Sequence, residues 1–119
     1  MFRFTELILN EDGSQVDKIY PVLMQFTHIC CESIDSFYLI YVDGLNENSY
    51  TIPVKDTSLL EQIYKYIETN DEDGFNSLNL YAYDDYETDE NTWDDYENRE
   101  EVLIGYCLKN NKKRSLYDV

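Results

Sequence analysis

The chain has 119 residues, of which 43% are hydrophobic, and a formal net charge of −16 at pH 7. This length fits one domain, 1–119, and the charge repels nucleic acids and anionic membranes, so it excludes direct binding to either. We see neither a signal-peptide pattern nor the ~18 consecutive apolar residues of a membrane helix, and therefore expect a soluble, cytoplasmic protein.

The first third of the chain has the alternating pattern of β-strands. Phe2–Leu9 alternates, and the Asp-Gly dipeptide at 12–13 predicts a tight turn into a return strand, Gln15–Tyr20. Pro21 is expected to end that strand, because proline cannot donate to a central ladder. A further alternating run, 22–31, predicts another strand. Its Cys30 and Cys31, with Cys107, make an odd number of cysteines, which predicts buried thiols in a reducing compartment.

The middle of the chain predicts a second hairpin followed by a helix. Ser36–Asp43 and Ser49–Val54 are rich in aromatic and β-branched residues and flank a polar connection. Ser58 and Glu61 have the spacing of a capping box, which predicts that a helix begins at 58 and runs to 69. Its apolar stripe, suited to packing on a sheet, is Leu60, Ile63, Tyr64 and Ile67.

The last third predicts two more strands around an acidic connection. Leu78–Tyr83 alternates with tyrosines on its outer face, and Val102–Leu108 reads as the final strand. Between them, 84–101 is either a long loop or a short helix from Thr92. The expected fold class is α+β, a mainly antiparallel sheet with the helix at 58–69 packed on one face.

The acidic segment, residues 71–101, holds about three quarters of the net charge in about a quarter of the length. It contains thirteen carboxylates and one basic residue, Arg99. A basic tail, 109–119, ends the chain. Disordered acidic tracts are poor in aromatics, whereas this segment contains several, which predicts an ordered negative surface. The aromatic residues threaded through the acids are Tyr81, Tyr83, Tyr86, Trp93 and Tyr96.

Catalytic and metal sites are the alternatives that the sequence disfavours. His28 is the only histidine, and on a strand it lies roughly 6.6 Å from Cys30, too far for direct proton transfer. A zinc site of His28, Cys30, Cys31 and Cys107 matches no common spacing. The alternate acids from Asp85 resemble a calcium loop, but Glu90 stands where its glycine belongs and Tyr96 where its last glutamate belongs. We expect no enzyme, cofactor or metal.

In size, charge and interleaving of acids with aromatics, the chain resembles the small DNA-mimic and anti-CRISPR inhibitors of phages, and the resemblance rests on the acidic segment. The resemblance implies an inhibitor of a nucleic-acid-binding channel in a basic protein, a CRISPR or restriction nuclease, acting in the host cytoplasm. Carboxylates at DNA-like density compete for rows of Lys and Arg, with aromatic residues as anchors. The expected partner-binding residues are Asp84, Asp85, Tyr86, Glu87, Asp89, Glu90, Trp93, Asp94, Asp95, Tyr96 and Glu97.

Two other functions use the same surface. An immunity protein would plug the active site of a basic nuclease toxin, and a solvated acidic face would serve solubility or a general protein interaction. The sequence does not separate an inhibitor from an immunity protein, because both need dense carboxylates opposite a basic groove.

Overall fold

We describe the protein from a computed structural model, over residues 1–85 and 96–112; for 26–28 and 96–98 only the backbone is described. These residues form a mixed fold with a mostly antiparallel sheet and three helices, so the predicted antiparallel sheet is confirmed. Its elements are β1 (Arg3–Leu9), β2 (Val16–Ile34), β3 (Phe37–Gly44), β4 (Ser49–Val54), α1 (Thr57–Glu68), α2 (Glu72–Ser77), β5 (Tyr81–Asp84) and α3 (Tyr96–Asn110).

The five strands close into a barrel in the order β1-β2-β3-β4-β5. Neighbouring strands are antiparallel except at the closure, where β1 and β5 run parallel with Thr5 opposite Tyr81. Both predicted hairpins are present: Leu9 pairs with Val16 across the first turn, and β3 pairs with β4 along its length. Closure removes the sheet edges at β1 and β5 that an open sheet would expose.

The barrel interior is filled by large apolar side chains. Phe4 meets Tyr50 edge to face with ring centroids 5.0 Å apart, and Phe2 meets Phe75 of α2 at 5.2 Å. Helices α1 and α2 add side chains to the same core. The fully buried members of this core include Phe2, Phe4, Met24, Ile40, Tyr50, Ile52, Leu59, Ile63, Phe75, Leu78 and Leu80.

Strand β2 does not end at Pro21, contrary to the sequence prediction. It runs unbroken past the proline, which lies opposite Thr5 of β1. The amide of Thr5 donates to Leu80 O, toward β5, so Thr5 and Pro21 are a non-hydrogen-bonded pair. The proline nitrogen therefore faces away from β1, toward the side of β2 on which β3 pairs. That pairing begins only at Met24. The missing N–H costs no ladder hydrogen bond at this position.

Helix α1 confirms the predicted helix but has a different cap. Asp56, rather than Ser58, is the N-cap residue: its Oδ1 accepts from Ser58 N at 2.9 Å and Ser58 Oγ at 2.8 Å. The helix ends at Glu68, Thr69 is its C-cap residue, and Asn70 follows with a positive φ of 54°.

Helix α2 was not predicted, because its six residues are mostly acidic or small. Asp71 caps it by accepting from Gly74 N at 3.0 Å. The strand expected from Leu78 starts only at Tyr81, since α2 occupies the preceding chain. Tyr83 is 3% exposed, so the predicted tyrosine-bearing outer face of this strand is covered.

The predicted final strand, Val102–Leu108, is wrong, because these residues lie inside helix α3. A short apolar run fits both the two-residue period of a strand and the 3.6-residue period of a helix. Here Leu103 and Cys107, spaced i, i+4, lie on one face of a helix. Both are fully buried on the outside of the barrel against Leu7, Leu9 and Tyr83. Within the described residues no helix is long and apolar enough to cross a bilayer.

Asn111, just beyond α3, fills a gap between β4 and β5. The two strands pair only at Tyr50–Asp84 and Thr51–Tyr83. Two residues further along each strand, the Asn111 side chain lies between them: it accepts from Tyr81 N at 2.7 Å and donates to Pro53 O at 2.7 Å and Tyr81 O at 2.9 Å. Its amide group therefore replaces the ladder bonds that the two strands do not make directly.

The predicted buried thiols are correct only for Cys107. Cys30 and Cys31 are exposed, as are the neighbouring Glu32 and Ser33, so alternation does not decide burial at this end of β2. Burial raises the pKa of the Cys107 thiol.

We expect a thiol reagent to modify Cys30 and Cys31 in the folded protein and Cys107 only after denaturation. Intact-mass spectrometry checks this, and a native Cys107→Ala variant should label to the same extent as wild type. Labelling of only one site, or of all three sites, in the native protein would contradict the structure.

Candidate partner-binding surface

The structure describes part of the predicted partner-binding set. Asp84 and Asp85 lie at the end of β5, and Tyr96 and Glu97 begin α3, where their backbone alone is described. The other predicted residues lie outside the described ranges: Tyr86, Glu87, Asp89, Glu90, Trp93, Asp94 and Asp95. For these the assignment stays a prediction.

Asp84 is 9% exposed and belongs to the buried residues. It pairs with Tyr50, whose hydroxyl donates to Glu6 Oε1 at 3.4 Å and accepts from Asn46 Nδ2 at 2.8 Å. Burial raises the pKa of Tyr50, the bonds from Asn46 and Asn48 oppose that rise, and the charges of Glu6 and Asp84 add to it. Asp84 therefore lies opposite the buried Tyr50 in the sheet and exposes little surface to a partner.

Asp85 is exposed and is held by a buried hydroxyl. Thr51, 2% exposed, donates from Oγ1 to Asp85 Oδ1 at 2.8 Å. The residue as a whole is exposed, but its carboxyl group is partly desolvated, which raises the pKa of Asp85; the Thr51 bond opposes that rise, and the carboxylates of Asp84 and Asp43 add to it. Asp85 is thus a fixed negative charge beside two others.

Two further carboxylates are held by hydroxyl donors in the same way. Tyr41 Oη donates to Glu32 Oε2 at 2.6 Å, and Ser49 Oγ donates to Asp43 Oδ1 at 3.2 Å. We call Glu32, Asp43 and Asp85 the carboxylate triplet. Charge-assisted hydrogen bonds of this kind fix a carboxylate in position.

The triplet lies on the outward side of the sheet: Glu32 is on β2, Asp43 is on β3, and Asp85 follows β5 and is bonded to Thr51 of β4. Tyr41 pairs with Thr51, and Asp43 with Ser49, so these four side chains share one face of the sheet. The pKa of Tyr41 is raised mainly by burial, next by its hydrogen bond to Glu32, and then by the charges of Glu32 and Asp85. Tyr41 thus lies within electrostatic reach of two members of the triplet.

Among the described residues there is no group of three or more His, Cys, Asp or Glu side chains that could hold a metal ion. Most of the calcium-loop candidate, 85–96, and the His28 side chain lie outside the described part of the chain.

Arg99, the base within the acidic segment, packs against the first hairpin turn. A Cβ added to Gly13, which has a positive φ of 76°, would lie 2.9 Å from Arg99 Cγ. The Arg99 charge also helps to lower the pKa of Asp12, after the hydrogen bonds from Ser14. This contact places the first turns of α3 beside the hairpin and turns the arginine toward Asp12.

Acidic composition does not point to Glu32 and Asp43, because both lie outside the stretch in which the acids are dense. A signal was present for Asp43: Tyr41 and Asp43 alternate with the apolar Ile40 and Val42, which places both on the outer face. Glu32 had no such signal, because its bond to Tyr41 depends on the irregular register of β2 and β3.

Comparison with known proteins identified no relative: no protein-family model, curated protein or solved structure matches this chain.

The Asp85 environment predicts a pH-dependent stability effect. A carboxyl group whose pKa is raised by folding destabilises the fold above that pKa, and the effect vanishes below the unfolded value of about 3.9. Asp85→Asn keeps an acceptor for Thr51 and removes the repulsion from Asp84 and Asp43. We expect it to raise the unfolding midpoint at pH 7 by about 1–3 °C and to have no effect near pH 3. Thermal scans across this range check the result; a lower midpoint at pH 7 would contradict it.

Proposed function

We propose that this protein is an acidic inhibitor that occupies the nucleic-acid-binding channel of a basic nuclease by imitating the DNA phosphate backbone. The observation that supports this most is the carboxylate triplet, three acids held by Tyr41, Ser49 and Thr51 on one outward face. Asp85, its third member, leads directly into residues 86–95, which contain five further acids.

Fixed carboxylates suit this role because DNA presents fixed charges. Duplex DNA carries one negative charge for about every 1.7 Å of its axis, and its binding proteins meet it with Lys and Arg. A side chain already held by a hydroxyl loses less rotamer entropy when a partner binds it. Glu32 and Asp43 stand on the paired strands β2 and β3, and Asp85, just past β5, is tied to β4 by Thr51, so the sheet sets the positions of all three.

The energetic cost of crowding these acids is consistent with a basic partner. Desolvation is the main cause of the raised pKa of Asp85, and the charges of Asp84 and Asp43 add to it, so the free protein holds mutually repelling charges. A row of cations would relieve that repulsion on binding, and both affinity and association rate would fall as salt is added. Trp93 and the neighbouring tyrosines 86 and 96 remain the proposed anchors, since aromatic residues dominate binding energy at many interfaces.

Affinity capture from host lysate tests the proposal. The bait is the tagged protein at low and high salt, and the control bait carries Glu32→Gln, Asp43→Asn and Asp85→Asn. We expect a nucleic-acid-binding protein to be retained at low salt, to be released at high salt and to bind the control bait weakly. Purified partner and bait are then mixed in a DNA cleavage assay, in which the wild-type bait should inhibit cleavage.

The identity of the captured nuclease decides between the two inhibitory roles. A defence nuclease of the CRISPR or restriction type supports the mimic, whereas a secreted toxin nuclease supports an immunity protein. Capture of proteins without nucleic-acid-binding activity, retained equally by both baits, would contradict both roles.

A further inference from the structure

The first half of β2 has one open edge. Met24 N donates to Phe2 O. In the part of β2 that pairs with β1, the even-numbered residues therefore direct their backbone N–H and C=O groups to β1, and the odd-numbered residues direct theirs away from it. Ile19 and Pro21 therefore point their backbone groups outward. Pairing with β3 starts only at Met24, and no other described strand covers this edge.

Exposed apolar side chains lie along this edge. Ile19 is 49% exposed, Leu23 44% and Leu45 47%, and Pro21 between the first two is also exposed. Leu45 belongs with them because its amide donates to Leu23 O at 2.9 Å. We call Ile19, Pro21, Leu23 and Leu45 the β2 stripe. Contiguous apolar surface beside an open strand edge is a docking feature that folded proteins usually avoid.

The two ends of the β2 stripe carry opposite charges. Arg3 stands opposite Leu23 at one end, and Asp17 lies two residues before Ile19 at the other. Both side chains are exposed, and neither forms an ion pair with a residue that the structure describes.

We propose that the β2 stripe is a self-association surface, on which a second copy of this chain docks antiparallel about a two-fold axis. That arrangement places apolar side chains against apolar side chains and brings Arg3 of each copy to the Asp17 end of the other. The two contacts are identical by symmetry, so the assembly closes as a dimer.

Pro21 and the size of the stripe limit the strength of this dimer. Pro21 has no N–H to offer across the interface, which leaves few backbone bonds and disfavours sheet extension into fibres. Four half-exposed side chains cover less than the ~800 Å² per partner of a standard interface. The charge of −16 on each copy also opposes association, so the dimer is weak and strengthens as salt screens that repulsion.

Sedimentation equilibrium tests the proposal with the purified protein alone. At about 0.5 M NaCl and protein concentrations up to about 1 mM, we expect the average mass to rise above 14.2 kDa toward twice that value. Leu23→Lys should stay at the monomer mass. Asp17→Arg lowers the net negative charge yet should weaken the dimer about 10-fold, because it places cations opposite Arg3. The double variant Arg3→Asp/Asp17→Arg should recover the wild-type dissociation constant to within about twofold.

Circular dichroism confirms folding of each variant. A wild type that stays monomeric at both low and high salt overturns the proposal, and so does a Leu23→Lys variant that dimerises as wild type does. A stronger dimer for Asp17→Arg would show that bulk charge alone controls association and would also overturn it. These outcomes leave the proposed inhibition untouched, because partner binding is expected to weaken with salt while self-association strengthens.

Discussion

Replacing Asn111 by alanine is expected to lower the free energy of unfolding by about 3 kcal/mol. The side chain is 2% exposed and makes three hydrogen bonds, one from Tyr81 N and one each to the carbonyls of Pro53 and Tyr81. Removing it leaves those buried backbone groups without partners at the gap between β4 and β5. Chemical denaturation followed by circular dichroism measures the loss.

Asn110 supplies the matched control. It is exposed, and its Nδ2 donates to Tyr106 O within the same helix, so Asn110→Ala should cost less than about 0.5 kcal/mol. Asn111→Asp should be as harmful as alanine, since a carboxylate cannot donate to the two carbonyls. Equal effects for Asn110→Ala and Asn111→Ala would mean that Asn111 does not join the strands as described.

Neutralising four acids at the start of the densest region is expected to weaken partner binding about 100-fold at physiological salt. The variant is Asp85→Asn, Glu87→Gln, Asp89→Asn and Glu90→Gln. Phosphate mimicry is distributed over many charges, so affinity should fall in proportion to the number removed. The dependence of affinity on salt should also become shallower, because fewer counterions are displaced.

A second variant separates local pattern from net charge. Glu11, Glu47, Glu61 and Glu68 are exposed acids outside the proposed surface, and changing all four to Gln removes the same charge. This control should keep affinity within about threefold of wild type, because long-range charge is largely screened at physiological salt. Equal losses for both variants would indicate bulk attraction without a defined surface.

Local patterns in the sequence predicted the parts of the fold that depend on local interactions. Alternation and an Asp-Gly turn predicted the first hairpin, and an i, i+3, i+4, i+7 stripe predicted α1 within a residue at each end. The parallel pairing of Thr5 with Tyr81 was beyond reach, because barrel closure depends on contacts between residues far apart in the chain.

The errors also have local causes. Val102–Leu108 was assigned to a strand since a seven-residue apolar run fits either period, whereas Leu103 and Cys107 bury one helical face against the barrel. Asp84 was grouped with exposed acids by composition, although its pairing with Tyr50 buries it. The partners of Glu32 and Asp43 arise from strand register, which composition does not encode.

The most direct test of the inhibitor proposal is a competition titration. A labelled DNA duplex is bound to the captured partner at physiological salt, and wild-type protein or the variant altered at 85, 87, 89 and 90 is added. The account predicts that the wild type displaces the duplex stoichiometrically and that the folded variant needs about 100-fold more protein for the same displacement. Displacement by the folded variant at the wild-type concentration would contradict phosphate mimicry by this surface.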